Sequence, residues 1–203
     1  MSVRVKICGV TRVADAQCAI ALGADIIGLN FYPPSPRSLS LERARELRAA
    51  IGDRCQVAGV FVNAERAYIE ERLDALQLDW IQFHGDEPDE ALRGWPVKVI
   101  RALRLKAAAT PSAIVRGSAD YVLIDTAHPG LFGGTGQVQS LAGLKDADLG
   151  RVFLSGGLTA ENVAIAAALE PFGVDVASGV ESAPGIKDAD KLRSFISNAK
   201  SAR

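Results

Sequence analysis

The 203-residue chain has little sulfur and almost no net charge. Its three cysteines, Cys8, Cys18 and Cys55, cannot close a disulfide framework, and no CxxC pair points to zinc or thiol exchange. A reducing compartment is therefore the simpler setting. Neither sign of charge is in excess: 23 Lys and Arg against 24 Asp and Glu leave −1. That balance argues against a dedicated nucleic-acid or membrane-surface protein, which needs a basic excess. No apolar run reaches the ~18 residues of a membrane helix. No long apolar stretch follows Met1-Ser2-Val3-Arg4 either, so no signal peptide is expected and a cytoplasmic location is. The 19 glycines and nine prolines are scattered among hydrophobic runs, which excludes collagen-like and disordered chains.

What is present is a regular alternation. Short apolar, β-branched runs occupy Val3–Ile7, Asp25–Phe31, Gln56–Val62, Trp80–Phe83, Val97–Ala102, Tyr121–Asp125, Val152–Ser155 and Val174–Ser178. Each has the length of a buried strand. Segments with helical period lie between or after them: Val13 to Leu22, the stretch after Ser40 (a candidate N-cap), Glu65 to Leu76, a run opening at Thr159, and Asp188 to Ala199. Ala127 to Gly150 is glycine-rich and reads as a long loop followed by a poor helix. Eight strands alternating with helices predict an α/β fold, a single-domain (β/α)8 TIM barrel over residues 1–203, at about 25 residues per unit. An open doubly wound sheet needs fewer strands.

Barrel enzymes work where strands end and βα loops begin. Ser155-Gly156-Gly157 and Ser178-Gly179 end the last two strand candidates. Two such turns on adjacent strands favour a phosphate held by backbone N–H groups over ordinary turn glycines. Strand parity puts Arg4, Lys6 and Cys8 on one face. With Val5 and Ile7 against the helices, Cys8 points into the barrel mouth above Lys6. A nearby ammonium is expected to lower the thiol pKa. Lys6 is equally well read as half of an internal ion pair with Asp175. Asp125 ends an apolar strand, where desolvation should raise its pKa towards the range of a general acid. Thiol and carboxylate on opposite sides of one substrate suit a proton-transfer isomerisation. Arg37, between Pro36 and Ser38 in a proline-rich loop, can clamp a carboxylate; a solvated arginine is the competing reading. His84 reads first as a structural histidine hydrogen-bonded in its loop, and second as a general base. No His/Cys/Asp spacing makes a metal site.

At these residues the sequence resembles the phosphoribosylanthranilate isomerase family. The resemblance is carried by Val5-Lys6-Ile7-Cys8-Gly9, Gly28-Leu29-Asn30-Phe31-Tyr32-Pro33 with Ser35-Pro36-Arg37, and Gly59-Val60-Phe61-Val62-Asn63. It continues through Gln82-Phe83-His84-Gly85-Asp86-Glu87, Leu123-Ile124-Asp125-Thr126, Gly133-Gly134-Thr135-Gly136, Leu154-Ser155-Gly156-Gly157-Leu158 and Val174-Asp175-Val176-Ala177-Ser178-Gly179-Val180-Glu181. It implies a (β/α)8 enzyme of tryptophan biosynthesis that converts an aminoaldose phosphate to an aminoketose phosphate by an Amadori rearrangement. By that resemblance Asp125 is the general acid, Cys8 the general base, and Arg37 the binder of the anthranilate carboxylate. Gly156, Gly157, Ser178 and Gly179 hold the phosphate, with His84 and Gly134 also at the substrate. The Gly133–Gly136 loop closes over it.

The resemblance implies no cofactor and no metal. The expected partner is a small phosphorylated substrate, with no nucleic acid and no membrane, and the expected state is a monomer or weak homodimer. One stretch departs from the family pattern: Gln137-Val138-Gln139-Ser140-Leu141 stands where an aromatic and Asp-Trp usually follow. The rival readings are a non-catalytic phosphate-sugar binding barrel and another phosphosugar isomerase on the same scaffold.

Overall fold

A computed structural model describes residues 3–105, 110–125 and 141–202 of the chain. Eight parallel strands form a closed barrel in chain order. They are β1 (Arg4–Cys8), β2 (Ile26–Asn30), β3 (Gln56–Phe61), β4 (Trp80–Phe83), β5 (Lys98–Arg104), β6 (Tyr121–Asp125), β7 (Val152–Ser155) and β8 (Gly173–Val176). β8 closes on β1 with Lys6 opposite Asp175. All eight expected strands are present. A feature not expected follows β8: an antiparallel hairpin of β9 (Glu181–Ala183) and β10 (Ile186–Lys187).

Among the described residues the helices are α1 (Val13–Ala21), α2 (Leu41–Ile51), α3 (Arg66–Leu76), α4 (Val163–Ala167) and α5 (Ala189–Ser201). Ser40 caps α2 by accepting from the Arg43 amide at 3.2 Å, and Asp188 caps α5 by accepting from Asp190 and Lys191 at 3.0 Å each. The alternation is imperfect. β4 and β5 are followed by single 3-10 turns, Asp89–Leu92 and Pro111–Ala113. The short connection between β4 and β5, broken by Pro88, Gly94 and Pro96, has no room for three helical turns. The helix expected from Thr159 starts four residues later. Asn162 folds the preceding loop onto itself, accepting from the Thr159 amide at 2.8 Å and donating to Gly157 O at 3.1 Å. Most of the expected loop and poor helix after β6 lies outside the described residues, as do Thr126 and the Gly133–Gly136 segment with Gly134.

Strand parity divides the core in two. Val5, Ile7, Ile27, Leu29, Val57, Ile81, Val122, Ile124 and Leu154 face outward and pack with the helices. Ile26, Ala58, Trp80, Ile100, Leu123 and Phe153 fill the barrel interior. Above this apolar plug the inward positions turn polar: Lys6, Gln82 and Asp175 are all buried. At the opposite end three aspartates fix register in the same way. Asp25, Asp79 and Asp120, each just before its strand, accept from Val5, Val57 and Val99 amides of the neighbouring strand at 2.8, 2.8 and 2.9 Å. The plug and the register clamps leave the upper mouth as the place where polar side chains can meet a ligand.

Candidate active site

Cys8 ends β1 and is half-buried at the mouth. Below it, the Lys6 Nζ lies 2.6 Å from Asp175 Oδ1, and Asp175 Oδ2 accepts from the Ser155 hydroxyl at 3.0 Å. The ion-pair reading of Lys6 is thus the observed one. The expectation of a lowered thiol pKa is corrected, however. Burial pushes the Cys8 thiol above its ordinary value, with Asp175 adding to the rise, and the attraction of Lys6 and Lys187 offsets only part of it. Burial also acts to lower Lys6, but Asp175 and Cys8 outweigh it and its pKa is raised. The ammonium is therefore a standing countercharge for any thiolate that forms.

Asp125 ends β6. Its Oδ2 lies 3.5 Å from His84 Nε2, and the other ring nitrogen, Nδ1, is 2.7 Å from Gln82 Nε2. With the Gln82 amide donating, Nδ1 accepts and Nε2 carries the proton towards the carboxylate. His84 is anchored in its loop as first read, and it also meets Asp125. Its carbonyl accepts from Arg104 at 3.0 Å.

Asp125 also lines a recess of about 130 Å³ together with Ser155, Gly156, Gly157, Asp175, Ser178 and Gly179. Gly156 and Gly157 have φ of 92° and 63°, angles that favour glycine. At Gly179 a Cβ would stand 1.8 Å from Leu158 O, so the two loops approach at a distance only glycine allows. The two glycine turns that the sequence suggested are thus brought to one wall. No basic side chain is among the described lining residues, so backbone dipoles are what this wall offers an anion. A larger hollow, about 1010 Å³ and lined by Arg4, Asp25, Arg54 and Phe172, opens at the far end of the barrel, away from these groups.

Arg37 is brought to the mouth but not left alone there. Its Nε and Nη2 bind Glu181 Oε1 and Oε2 at 2.8 and 2.6 Å, a two-pronged pair. The Glu181 bond raises Arg37 above its ordinary pKa. Burial works to raise the Glu181 carboxyl, yet its bonds to Arg37 and Lys187 prevail and hold it low.

The chain has matches among known proteins. The family model described as N-(5'phosphoribosyl)anthranilate (PRA) isomerase matches residues 5–198. The chain belongs to the phosphoribosylanthranilate isomerase family. A relative named N-(5'-phosphoribosyl)anthranilate isomerase from Myxococcus xanthus is 49% identical over 99% of this chain and 98% of its own. A solved phosphoribosyl anthranilate isomerase in complex with reduced 1-(o-carboxyphenylamino)-1-deoxyribulose 5-phosphate is 36% identical, with a TM-score of 0.81 and 98% of each chain covered. Another solved structure, of monomers generated from a dimeric phosphoribosylanthranilate isomerase of Thermotoga maritima, is 35% identical, with a TM-score of 0.79 and 98% of each chain covered. The chain is thus an isomerase of tryptophan biosynthesis built as a TIM barrel.

Within this isomerase barrel, sequence reading missed the groups that hold the functional ones. Gln82 orients His84, Glu181 and Lys187 grip Arg37 and Cys8, and Asn162 shapes the Gly156–Gly157 loop. The available signal was parity for Gln82, which shares the inward face with Trp80. Glu181 stands at the end of the last family-like segment, though nothing there assigned it a partner; for Lys187 there was no signal, because it lies in a hairpin without periodicity. No helix among the described residues is long and apolar enough to cross a membrane.

Proposed function

We propose that the mouth of this barrel rearranges N-(5'-phosphoribosyl)anthranilate to 1-(2-carboxyphenylamino)-1-deoxyribulose 5-phosphate, with residues 1–203 acting as one catalytic domain. Asp125 protonates the furanose ring oxygen and the ring opens to a Schiff base. The Cys8 thiolate then removes the proton from C2′, and the electron pair moves towards the anthranilate nitrogen. The enolamine formed tautomerises to the ketone. The carbonyl oxidation level passes from C1′ to C2′ within one molecule, C2′ being oxidised as C1′ is reduced, so the reaction as written calls for no external redox partner or cofactor. Backbone N–H groups of Gly156, Gly157, Ser178 and Gly179 hold the phosphate. Arg37 binds the ring carboxylate, His84 stands beside the acid, and Gly134, outside the described residues, contributes to substrate binding.

The observation that carries this reading is the shared recess. Asp125 and the paired glycine turns line it together with Asp175, whose other oxygen pairs with the Lys6 beneath Cys8. Acid, base and anion wall are thus linked through one buried carboxylate. The setting is a reducing cytoplasm and a monomer or weak homodimer. Neither nucleic acid nor membrane takes part, and the partner is the phosphorylated substrate alone. Complementation of a tryptophan auxotroph lacking this isomerase tests the reading: wild type restores growth, Cys8→Ala and Asp125→Asn do not. Growth with either variant overturns the assigned roles.

A further inference from the structure

Lys187 lies in the hairpin beyond β8, its side chain wholly enclosed. Its ammonium donates to Cys8 O at 2.7 Å, Ala177 O at 2.9 Å and Glu181 Oε1 at 2.9 Å. These three bonds use every proton it has. One group thereby joins the strand that ends in the base, the strand that leads to the phosphate wall, and the carboxylate that grips Arg37. The hairpin is itself tied down, with the Lys187 amide donating to Asp15 at 2.9 Å and the Thr11 hydroxyl donating to Gly185 O at 2.5 Å. Arg37 meets the same fixture from the other side. Gly9 has φ of 68°, and a Cβ there would lie 2.4 Å from Arg37 Cδ. The arginine stem therefore rests on the bare backbone next to Cys8.

We infer that Glu181 is a positioning residue that sets which anion the Arg37 end of the site accepts. The inference rests on the reading of Arg37 as the carboxylate binder. Glu181 acts in two ways. It takes two of the five guanidinium N–H groups, which fixes the plane of the group and leaves the Nη1 side for a second anion. It also sets the charge. Arg37 and Lys187 bring two positive charges and Glu181 one negative, so the cluster carries +1. That matches a single carboxylate. Without the Glu181 carboxylate the Arg37 charge would stand uncompensated and favour a phosphate dianion, and a substrate with a phosphate at one end and a carboxylate at the other could then seat backwards. Glu181 therefore works against reversed binding as well as for correct binding.

The test compares two inhibitors by calorimetric titration: reduced 1-(o-carboxyphenylamino)-1-deoxyribulose 5-phosphate and the same molecule without its ring carboxylate. Wild type should prefer the first by about 10²-fold, the order that a charge-assisted pair of hydrogen bonds contributes. Glu181→Gln should cut that preference by about tenfold or more and should bind inorganic phosphate more tightly than wild type, a gain that mere structural damage does not produce. Glu181→Asp keeps the charge but shortens the reach. It should lose part of the preference without the gain in phosphate affinity, and it serves as the test if Glu181→Gln does not fold. A preference unchanged in both Glu181 variants while Arg37→Ala abolishes it overturns the inference alone. A preference unchanged in Arg37→Ala overturns the reading of Arg37, and the inference with it.

Discussion

The Lys6 ammonium and the Asp175 carboxylate meet at 2.6 Å inside the barrel, with side-chain exposures of 0% and 6%. A buried pair of this kind is a poor source of net stability, because desolvation cancels much of the attraction, but breaking it strands a charge. Asp175→Ala should therefore destabilise the fold by about 3–5 kcal/mol, read from urea melts. A loss under about 1 kcal/mol would mean that water reaches Lys6.

Cys8→Ala and Asp125→Asn should each lower kcat by about 10²–10⁴-fold, the usual contribution of one general acid or base. Inhibitor affinity should change little, because neither side chain is assigned a binding role. Single-turnover rates with freshly prepared substrate check the first half of the expectation and calorimetric titration of the inhibitor the second, and near-normal turnover in either variant removes that residue from its role.

Arg37→Ala should act mainly on KM, raising it by about 10–100-fold, the range for hydrogen bonds to a charged group. The chemistry step needs no guanidinium, so kcat should stay within a few-fold. If kcat collapses and KM holds, Arg37 instead works by fixing the Cys8 strand.

Alkaline pH should destabilise the fold through the thiols. Burial pushes Cys55 from an ordinary 9.0 up to about 12, with Asp25 and Asp79 adding to the rise. A group whose pKa is raised on folding stabilises the native state below its unfolded value, and that stabilisation is lost as pH climbs towards the folded one. Denaturant midpoints should thus fall between about pH 9 and 12, with Cys8 contributing in the same direction. Cys55→Ala should flatten part of the decline. An equally steep decline in the variant would assign the effect to other groups.

Much of the site was legible because its residues end strands. Parity alone places Cys8 above Lys6 and Asp125 above Leu123, and two glycine turns on consecutive strands must lie side by side in a parallel barrel. The thiol pKa was misjudged because one neighbour was visible in the sequence and the surrounding protein was not. Sequence adjacency names the Lys6 charge, but the larger effect on Cys8 is burial, which depends on strands β2 and β8 closing around it. The sequence leaves Arg37 between a carboxylate clamp and a solvated arginine because its partner is 144 positions away.

By itself, then, the order of residues determined the eight strands, the faces they present and the chemical groups at their ends. All of these follow from short-range periodicity and turn chemistry. Only the closed barrel decided that Asp175 would hold Lys6, that Gln82 would turn His84 towards Asp125, and that Glu181 and Lys187 would bind Arg37 to the backbone of Cys8. Those are contacts between distant positions. Their strength comes from exclusion of water, and water is excluded only once the whole barrel is packed.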